Sequence, residues 1–464
     1  MSHGVTVLVM AAGQGTRMRS ALPKVLHPVC GRPMVAWPVL AARDAGADRV
    51  AVIVSPGHDV SAALPEGTGT VVQPEADGTG GAVRAALPLI EESAAVVVLS
   101  GDHPLVSAEV IESLLAERDR ADAAATVMTT VLEEPGSYGR VVRDTNGDLE
   151  RIVEAKEPGD ASPEELEIRE VNTGTYAFAA GPLAEALGRI GNGNAQGEYY
   201  LGDVLPALRD AGGRVTAFLA PDEAVNLGVN DRRDLARAEA EARRRILDEH
   251  MLAGVTVTDP ASTWVDADVE IEPDAVLLPG TSLRGQTRVG GGSVVGPQTT
   301  LIDTVLHKDV SVPHSYVVEA EVLAGCNVGP FAYLRPQTLL REGAKAGAFV
   351  ELKNADVGRG SKVPHLSYVG DASLGEDVNL GAGSITANYD GSRKHRTVIG
   401  DHVRVGVDTM LVAPVEIGDS AYTGAGSVIT EDVPEGSLGI ARAKQQNVEG
   451  FAARKAAAEE EGES

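Results

Sequence analysis

The sequence predicts an α/β domain followed by an all-β parallel β-helix, the two joined by one long helix. Three observations predict it. Up to about residue 230, short β-branched apolar runs alternate with helical spacings, the pattern of a mostly parallel sheet covered by helices. From 231 to 252 the chain is charge-rich, with a thin apolar stripe of Leu235, Ala238, Ala242, Ile246 and Met251. After Gly254, aliphatic residues recur at every sixth position, the period of a parallel β-helix.

A chain of 464 residues suffices for two or more domains with cores of their own. Its 40 basic and 67 acidic residues give a net charge of −27. That charge argues against nucleic acid as a partner but leaves room for a local basic pocket. The two cysteines, Cys30 and Cys326, lie far apart, so a reducing, cytoplasmic setting is expected rather than a disulfide framework. No apolar run nears the ~18 residues of a spanning helix, and the amino terminus enters a strand without a basic leader. No membrane partner is expected.

The first element is the apolar run Val5, Val7, Leu8, Val9 and Met10, a buried parallel strand. Ala11, Ala12, Gly13, Gln14 and Gly15 follow at once. Small residues after a strand let the backbone approach a ligand, and their N–H groups can cradle phosphate oxygens. Arg17 and Lys24 place two positive charges beside that cradle, and Pro23 stiffens the approach to the lysine. The string is neither a GxGxxG fingerprint nor a Walker loop. AAGQGTRM followed by PK resembles the sugar-nucleotidyltransferase signature. Further strands are expected at 50–54, 96–100, 124–130 and 172–178, and helices at 35–45 and 109–121. Asp102 closes the strand at 96–100. A carboxylate there suits either a Mg²⁺ ligand beside a nucleotide or a cap for the turn SGDHP.

GTG at 78–80, YGR at 138–140, VEAKE at 153–157, VNTGTY at 171–176, NAQGEYYLGD at 194–203 and LGVND at 227–231 follow in order. Together with AAGQGTRM they resemble the bifunctional bacterial N-acetylglucosamine-1-phosphate uridylyltransferase / glucosamine-1-phosphate N-acetyltransferase family along nearly the whole chain. The resemblance implies a Rossmann-like nucleotidyltransferase domain over 1–230. It places Met10, Ala11, Ala12, Gly13, Ser100 and Gly101 around UTP, with Arg17 and Lys24 as catalytic cations on the triphosphate. Gln73, Gly78 and Thr79 would read the uracil. Asp102 and Asn230 would hold Mg²⁺. Gly139, Glu154 and Asn172 would hold the sugar and its N-acetyl group. The sequence departs from the family at Gly202, where Thr is usual, and at Asp77, where Leu is usual. Asp77 is expected to face solvent.

At 231–252 a single helix is expected, with Asn230 or Asp231 as its N-cap and Gly254 as its stop. Beyond it lie three hexad series. The first is Val265, Ile271, Leu277, Leu283, Val289, Val295 and Leu301. The second is Val310, Tyr316, Val322, Val328, Leu334, Leu340 and Ala346. The third is Ile399, Val405, Leu411, Ile417, Thr423 and Ile429. The periodic residue is expected to point into the coil and stack on its neighbours. Phase is lost over the basic insert ANYDGSRKHRTV at 387–398, which is either a binding feature or a tolerated loop. Polar residues at Arg335, Glu351, Lys353, His365, Tyr368, Asn379 and Asn388 interrupt the repeats.

Over 253–455 the resemblance implies a left-handed β-helix, a homotrimer and acetyl transfer from acetyl-CoA. His365 matches the general base, against the plainer reading of a surface histidine. Arg335, Lys353, Tyr368 and Asn379 would bind glucosamine-1-phosphate. Ala382, Asn388, Tyr389, Val407, Ala425 and Arg442 would line acetyl-CoA, with Lys394 at the coenzyme's phosphates. Val407 stands where the family usually has Ser. The product, UDP-N-acetylglucosamine, would feed peptidoglycan and other envelope polymers. The alternative is a monofunctional nucleotidyltransferase with a structural β-helix. The acidic end, 456–464, is expected to be disordered.

Overall fold

A computed structural model describes residues 3–462 apart from 14, 58, 137, 146, 156–158 and 194–196. Gln14, Lys156, Glu157 and 194–196, each part of an expected motif, lie outside the described residues. The chain divides into two compact units, Met1–Ile246 and Leu247–Ser464. The division falls inside the long helix rather than at residue 230.

The sheet of the first unit runs Val215–Leu219, Ala125–Val131, Glu170–Ala179, Ser93–Ser100, His3–Met10, Arg49–Val54, Gly69–Val72. All neighbours on that path are parallel except Glu170–Ala179, which is antiparallel to both of its own. Alternation explains the layers. Leu8, Ile53, Val96 and Val98 enter one apolar core, while Val7, Val9, Val52, Val97 and Leu99 enter the other. A strand apolar on both faces must be covered on both, and helices do so here. Met10 and Ser100 are register partners at the carboxyl ends of adjacent strands. The loop from Ala11 and the turn at Gly101–Asp102 therefore leave the sheet side by side, where ligands bind in open α/β sheets. A β-bulge lies between Asn172 and Tyr176. Such irregularities re-aim side chains.

The long helix spans Arg232–Leu252. Asp231 caps it: its Oδ1 accepts from the amides of Arg233 (2.7 Å) and Asp234 (3.1 Å). Asp234 reciprocates, accepting from the amides of Asn230 (3.1 Å) and Asp231 (3.3 Å). Gly254 ends the helix at φ +99. The apolar stripe docks rather than floats, for Ala238 packs with Met18, Met34 and Val229.

In the second unit each short strand pairs in parallel with the strand one coil later. Trp264–Val265 pairs with Ser282–Arg284, Glu270–Ile271 with Arg288–Val289, and Val276–Leu277 with Val294–Val295. This is a left-handed parallel β-helix of hexapeptide repeats. The first and third hexad series stack inward. The second is corrected at Tyr316, which is 46% exposed, while Val317 is fully buried in its place. The steps Leu301 to Leu306, Val312 to Val317 and Val317 to Val322 are one residue short of six. Asp303, His314 and Glu319 turn those corners at positive φ (48, 46 and 46). Corner threonines bond to backbone, as Thr281 Oγ1 donates to Leu278 O at 2.7 Å and Thr299 Oγ1 to Val312 O at 2.6 Å, which satisfies polar atoms that the coil buries. Where a disordered end was expected, Phe451–Gly462 forms a helix.

Candidate active sites

The first site is a cleft of about 440 Å³ at the carboxyl edge of the sheet. Met10, Ala11, Ala12, Gly13, Lys24, Gln73, Gly78, Thr79, Ser100 and Asp102 line it, with Glu198 opposite. Gly101 lies beneath: its amide donates to Met10 O (2.8 Å), and a Cβ there would stand 2.9 Å from that oxygen. Gly78 takes φ +99, and a Cβ on it would meet Tyr199 O at 2.5 Å. Only glycine fits.

Lys24 Nζ pairs with Asp102 Oδ2, and Ser100 Oγ donates to Asp102 Oδ1 at 2.5 Å. Burial opposes ionisation of Asp102. Neighbouring positive charge and the hydrogen bonds from Lys24 and Ser100 outweigh it and hold the carboxyl below its ordinary range. His103 is itself pushed down by burial, so at neutral pH Lys24 supplies that charge. Arg17 Nη2 donates to Asn230 Oδ1 at 2.8 Å, and Val229 N donates to Asp102 O at 2.9 Å. The two expected metal ligands thus stand on neighbouring backbone, each held by one of the two expected triphosphate cations. Asp231 does the capping, which leaves the Asn230 side chain for Arg17. Among the described residues no cluster of three His, Cys, Asp or Glu could cage a metal alone.

The expected sugar residues lie outside the cleft lining. Asn172 N donates to Gly139 O (2.9 Å), and Asn172 Nδ2 donates to Tyr176 Oη (2.6 Å). Burial, then the charge of Glu154, raises the Asp203 carboxyl, which places Glu154 nearby. Gly202 faces open space. Asp77 is corrected: its carboxylate is turned inward, accepting from Gln73 Nε2 (2.8 Å) and Arg84 Nη2 (3.0 Å).

The second site follows one edge of the β-helix. Gly383 N donates to His365 O (3.3 Å), Asp408 N to Ala382 O (2.8 Å) and Gly426 N to Val407 O (2.8 Å). Arg442 Nη1 donates to Ala425 O (2.7 Å). Those bonds line up His365, Ala382, Val407, Ala425 and Arg442 on successive coils. Val407 sits in the turn after the strand Arg404–Val405, 49% exposed, so strand propensity does not explain the valine.

Beside this edge, Asp371 gathers the polar residues. It accepts from Asn354 Nδ2 (2.7 Å) and Asn388 Nδ2 (2.5 Å), and Lys353 Nζ lies 3.7 Å away. Burial pushes Asp371 up, but those hydrogen bonds and the charges of Lys353 and Lys394 hold it below its ordinary range. Lys394 is brought against Lys353, whose ammonium lowers its pKa. A Cβ on Gly370 would stand 2.4 Å from Tyr368 Oη and 2.8 Å from Asn388 Nδ2, so glycine admits both groups. Arg335 Nη1 donates to Glu351 Oε1 (2.8 Å), and Glu351 is the register partner of Tyr368. Asn379 lies on the other ladder, between Lys362 and Arg404. The insert leaves the coil after Ile385–Ala387 and returns at Thr397–Ile399, closed by a bridge between Tyr389 and Lys394. Asp371 was not anticipated from the sequence. Its signal was a carboxylate three residues after Tyr368.

Residues 7–168 match the MobA-like NTP transferase domain, and 396–431 match the bacterial transferase hexapeptide (six repeats). Similar curated proteins include the bifunctional protein GlmU of Kineococcus radiotolerans, 51% identical over 96% of this chain and 91% of its own. GlmU of Streptomyces avermitilis is 48% identical over 97% and 94%, and GlmU of Mycobacterium tuberculosis 46% over 97% and 92%. The chain belongs to the GlmU family. GlmU proteins are bifunctional by name, and both matched domains are present in this chain.

Proposed function

We infer that this chain makes UDP-N-acetylglucosamine in two steps. The C-terminal unit acetylates glucosamine-1-phosphate from acetyl-CoA. The N-terminal unit then transfers UMP from UTP to N-acetylglucosamine-1-phosphate, releasing pyrophosphate. The observation that carries the reading is the pairing, in one chain, of the cleft around Lys24 and Asp102 with the His365-to-Arg442 edge.

In the cleft, Asp102 and Asn230 offer one ionised carboxylate and one amide oxygen, hard donors that suit Mg²⁺ when substrate phosphates complete its shell. Bound there, Mg²⁺ would neutralise phosphate charge. Arg17 and Lys24 would turn from these oxygens to the triphosphate. The sugar phosphate oxygen attacks the α-phosphorus of UTP in line, and no side-chain nucleophile is needed. Gly139, Glu154 and Asn172 would hold the sugar, with Asn172 aimed by its bulge. Gln73, Gly78 and Thr79 would hold the uracil.

On the β-helix, His365 would take a proton from the glucosamine ammonium, because only the free amine attacks a thioester. Lys353 and Lys394, with Arg335 and Tyr368, would receive the sugar phosphate, and Asn379 the sugar. Ala382, Asn388, Tyr389, Val407, Ala425 and Arg442 would carry acetyl-CoA. A homotrimer and a cytoplasmic setting belong to the same reading. Supporting it are the hexapeptide coil and, among the described residues, the lack of any helix long and apolar enough to cross a membrane.

The test supplies the purified chain with acetyl-CoA, glucosamine-1-phosphate, UTP and Mg²⁺. Thiol release that needs glucosamine-1-phosphate, together with pyrophosphate release, is expected. Pyrophosphate release from N-acetylglucosamine-1-phosphate without any thiol release would leave the β-helix a scaffold.

A further inference from the structure

We propose that Asp77 sets the base specificity of the nucleotide cleft by locking the Gln73 amide in one orientation. The proposal rests on the uridylyl reading of that cleft. Gln73 Nε2 donates to Asp77 Oδ1 at 2.8 Å and to Gly78 O at 3.1 Å. Both partners are acceptors only, an ionised carboxylate and a backbone carbonyl. A flipped amide would set Gln73 Oε1 against two oxygens, so chemistry decides the orientation. Oε1 is the polar atom left over. It accepts no donor from the described residues, although the side chain is 95% buried by its 5% exposure and lines the cleft.

Asp77 is itself held in place. Arg84 Nη2 donates to its Oδ2 at 3.0 Å, and the Arg84 guanidinium lies 4.1 Å over the Tyr199 ring. Tyr199 N donates to Asp77 O at 2.7 Å. Room for the carboxylate comes from Gly81, where a Cβ would stand 1.8 Å from Asp77 Oδ1. A fixed acceptor in a nucleotide cleft discriminates between pyrimidines. Uracil carries a donor at N3, which Oε1 can accept. Cytosine carries an acceptor at N3, which would face Oε1 with no hydrogen between. Asp77 is thus a positioning residue that acts through Gln73.

Asp77→Asn tests it. An asparagine amide can present its own NH₂ to Gln73 and so permits the flip. The measurement is kcat/KM for UTP and for CTP with N-acetylglucosamine-1-phosphate, in the full-length wild type and variant. The wild type should prefer UTP. In Asp77→Asn the UTP:CTP ratio should fall about ten- to hundredfold, the usual worth of matched base hydrogen bonds, while kcat with UTP is kept. Asp77→Ala, which removes the lock without offering a donor, should also lower the ratio. An unchanged ratio in both variants, with UTP and CTP weakened alike, would overturn the role of Asp77 and reduce it to a loop prop. A wild type that turns over neither nucleotide would instead overturn the uridylyl reading itself.

Discussion

At the scale of single residues, Asp102 is where the charge of the nucleotide cleft converges, since Lys24 and Ser100 both bind its carboxylate. Asp102→Ala should abolish uridylyl transfer and spare acetyl transfer. Activity of the variant across a Mg²⁺ titration checks this, and full uridylylation at ordinary Mg²⁺ would remove the metal-ligand role. His365→Ala should cut acetylation by roughly 10²–10⁴-fold, the span of a positioned base, with uridylylation of supplied N-acetylglucosamine-1-phosphate unchanged. Acetylation at wild-type rate and pH profile would point to another base. Val407 is exposed on the edge that carries His365, so a hydroxyl there would be free to reach outward. Val407→Ser should raise acetylation kcat with little change in KM for glucosamine-1-phosphate. A lost side-chain donor at a developing oxyanion costs about 10²–10³ in rate when nothing replaces it. An unchanged kcat would mean that position 407 makes no transition-state contact. The lining of the cleft was legible, because AAGQGTRM and SGDHP put Ala11, Ala12, Gly13 and Asp102 at the ends of adjacent strands. Directions were not. Asp77 faces inward because Gly81 leaves room and Arg84 supplies charge, and neither condition shows in a one-dimensional string. Asp371 went unnoticed because its partners Asn354 and Asn388 come from the coils before and after it.

At the scale of elements, the helix Arg232–Leu252 and the coil teach different lessons. The helix start was legible because Asp231 is a strong N-cap residue at the head of a charged periodic run. Its carboxyl is lowered to about 2 by the Arg233 side chain and by the amides of Asp234 and Arg233. A folded-state pKa below the unfolded one stabilises above the unfolded value, ordinarily near 3.8, and the benefit fades as pH falls towards about 2. Amide protection at Arg233 and Asp234 should therefore weaken between about pH 4 and pH 2. Asp231→Asn, which caps without an ionisable group, should lose that pH dependence. Hydrogen exchange on both proteins checks it, and parallel profiles would refute it. The coil was legible where each step held six residues. It was misread at Tyr316 because the short corners at Asp303 and His314 shift the phase, and a fixed period cannot anticipate a corner that closes early. Burial follows the backbone turn, not the count.

At the scale of the whole molecule, two compact units were legible from the change of period alone, because alternating strands and helices and a hexad repeat cannot share one core. The exact division was not, since the linker helix docks its stripe on Met18 and Met34. Calorimetry should show two transitions, UTP with Mg²⁺ raising one and acetyl-CoA the other, as ligands stabilise the fold that binds them. A single transition moved equally by both ligands would contradict this. The edge running from His365 through Ala382, Val407 and Ala425 to Arg442 also acts as a ruler. Its graduations are coils, and adjacent strands stand about 4.8 Å apart. If acetyl-CoA lies along it as proposed, the reach from His365 to Arg442 is counted in whole coils. Excising one complete coil between Ala382 and Ala425 would shorten the scale by about 4.8 Å and shift preference to a shorter thioester. Removing a single residue from the same coil would leave the scale its length but turn its later marks off the edge.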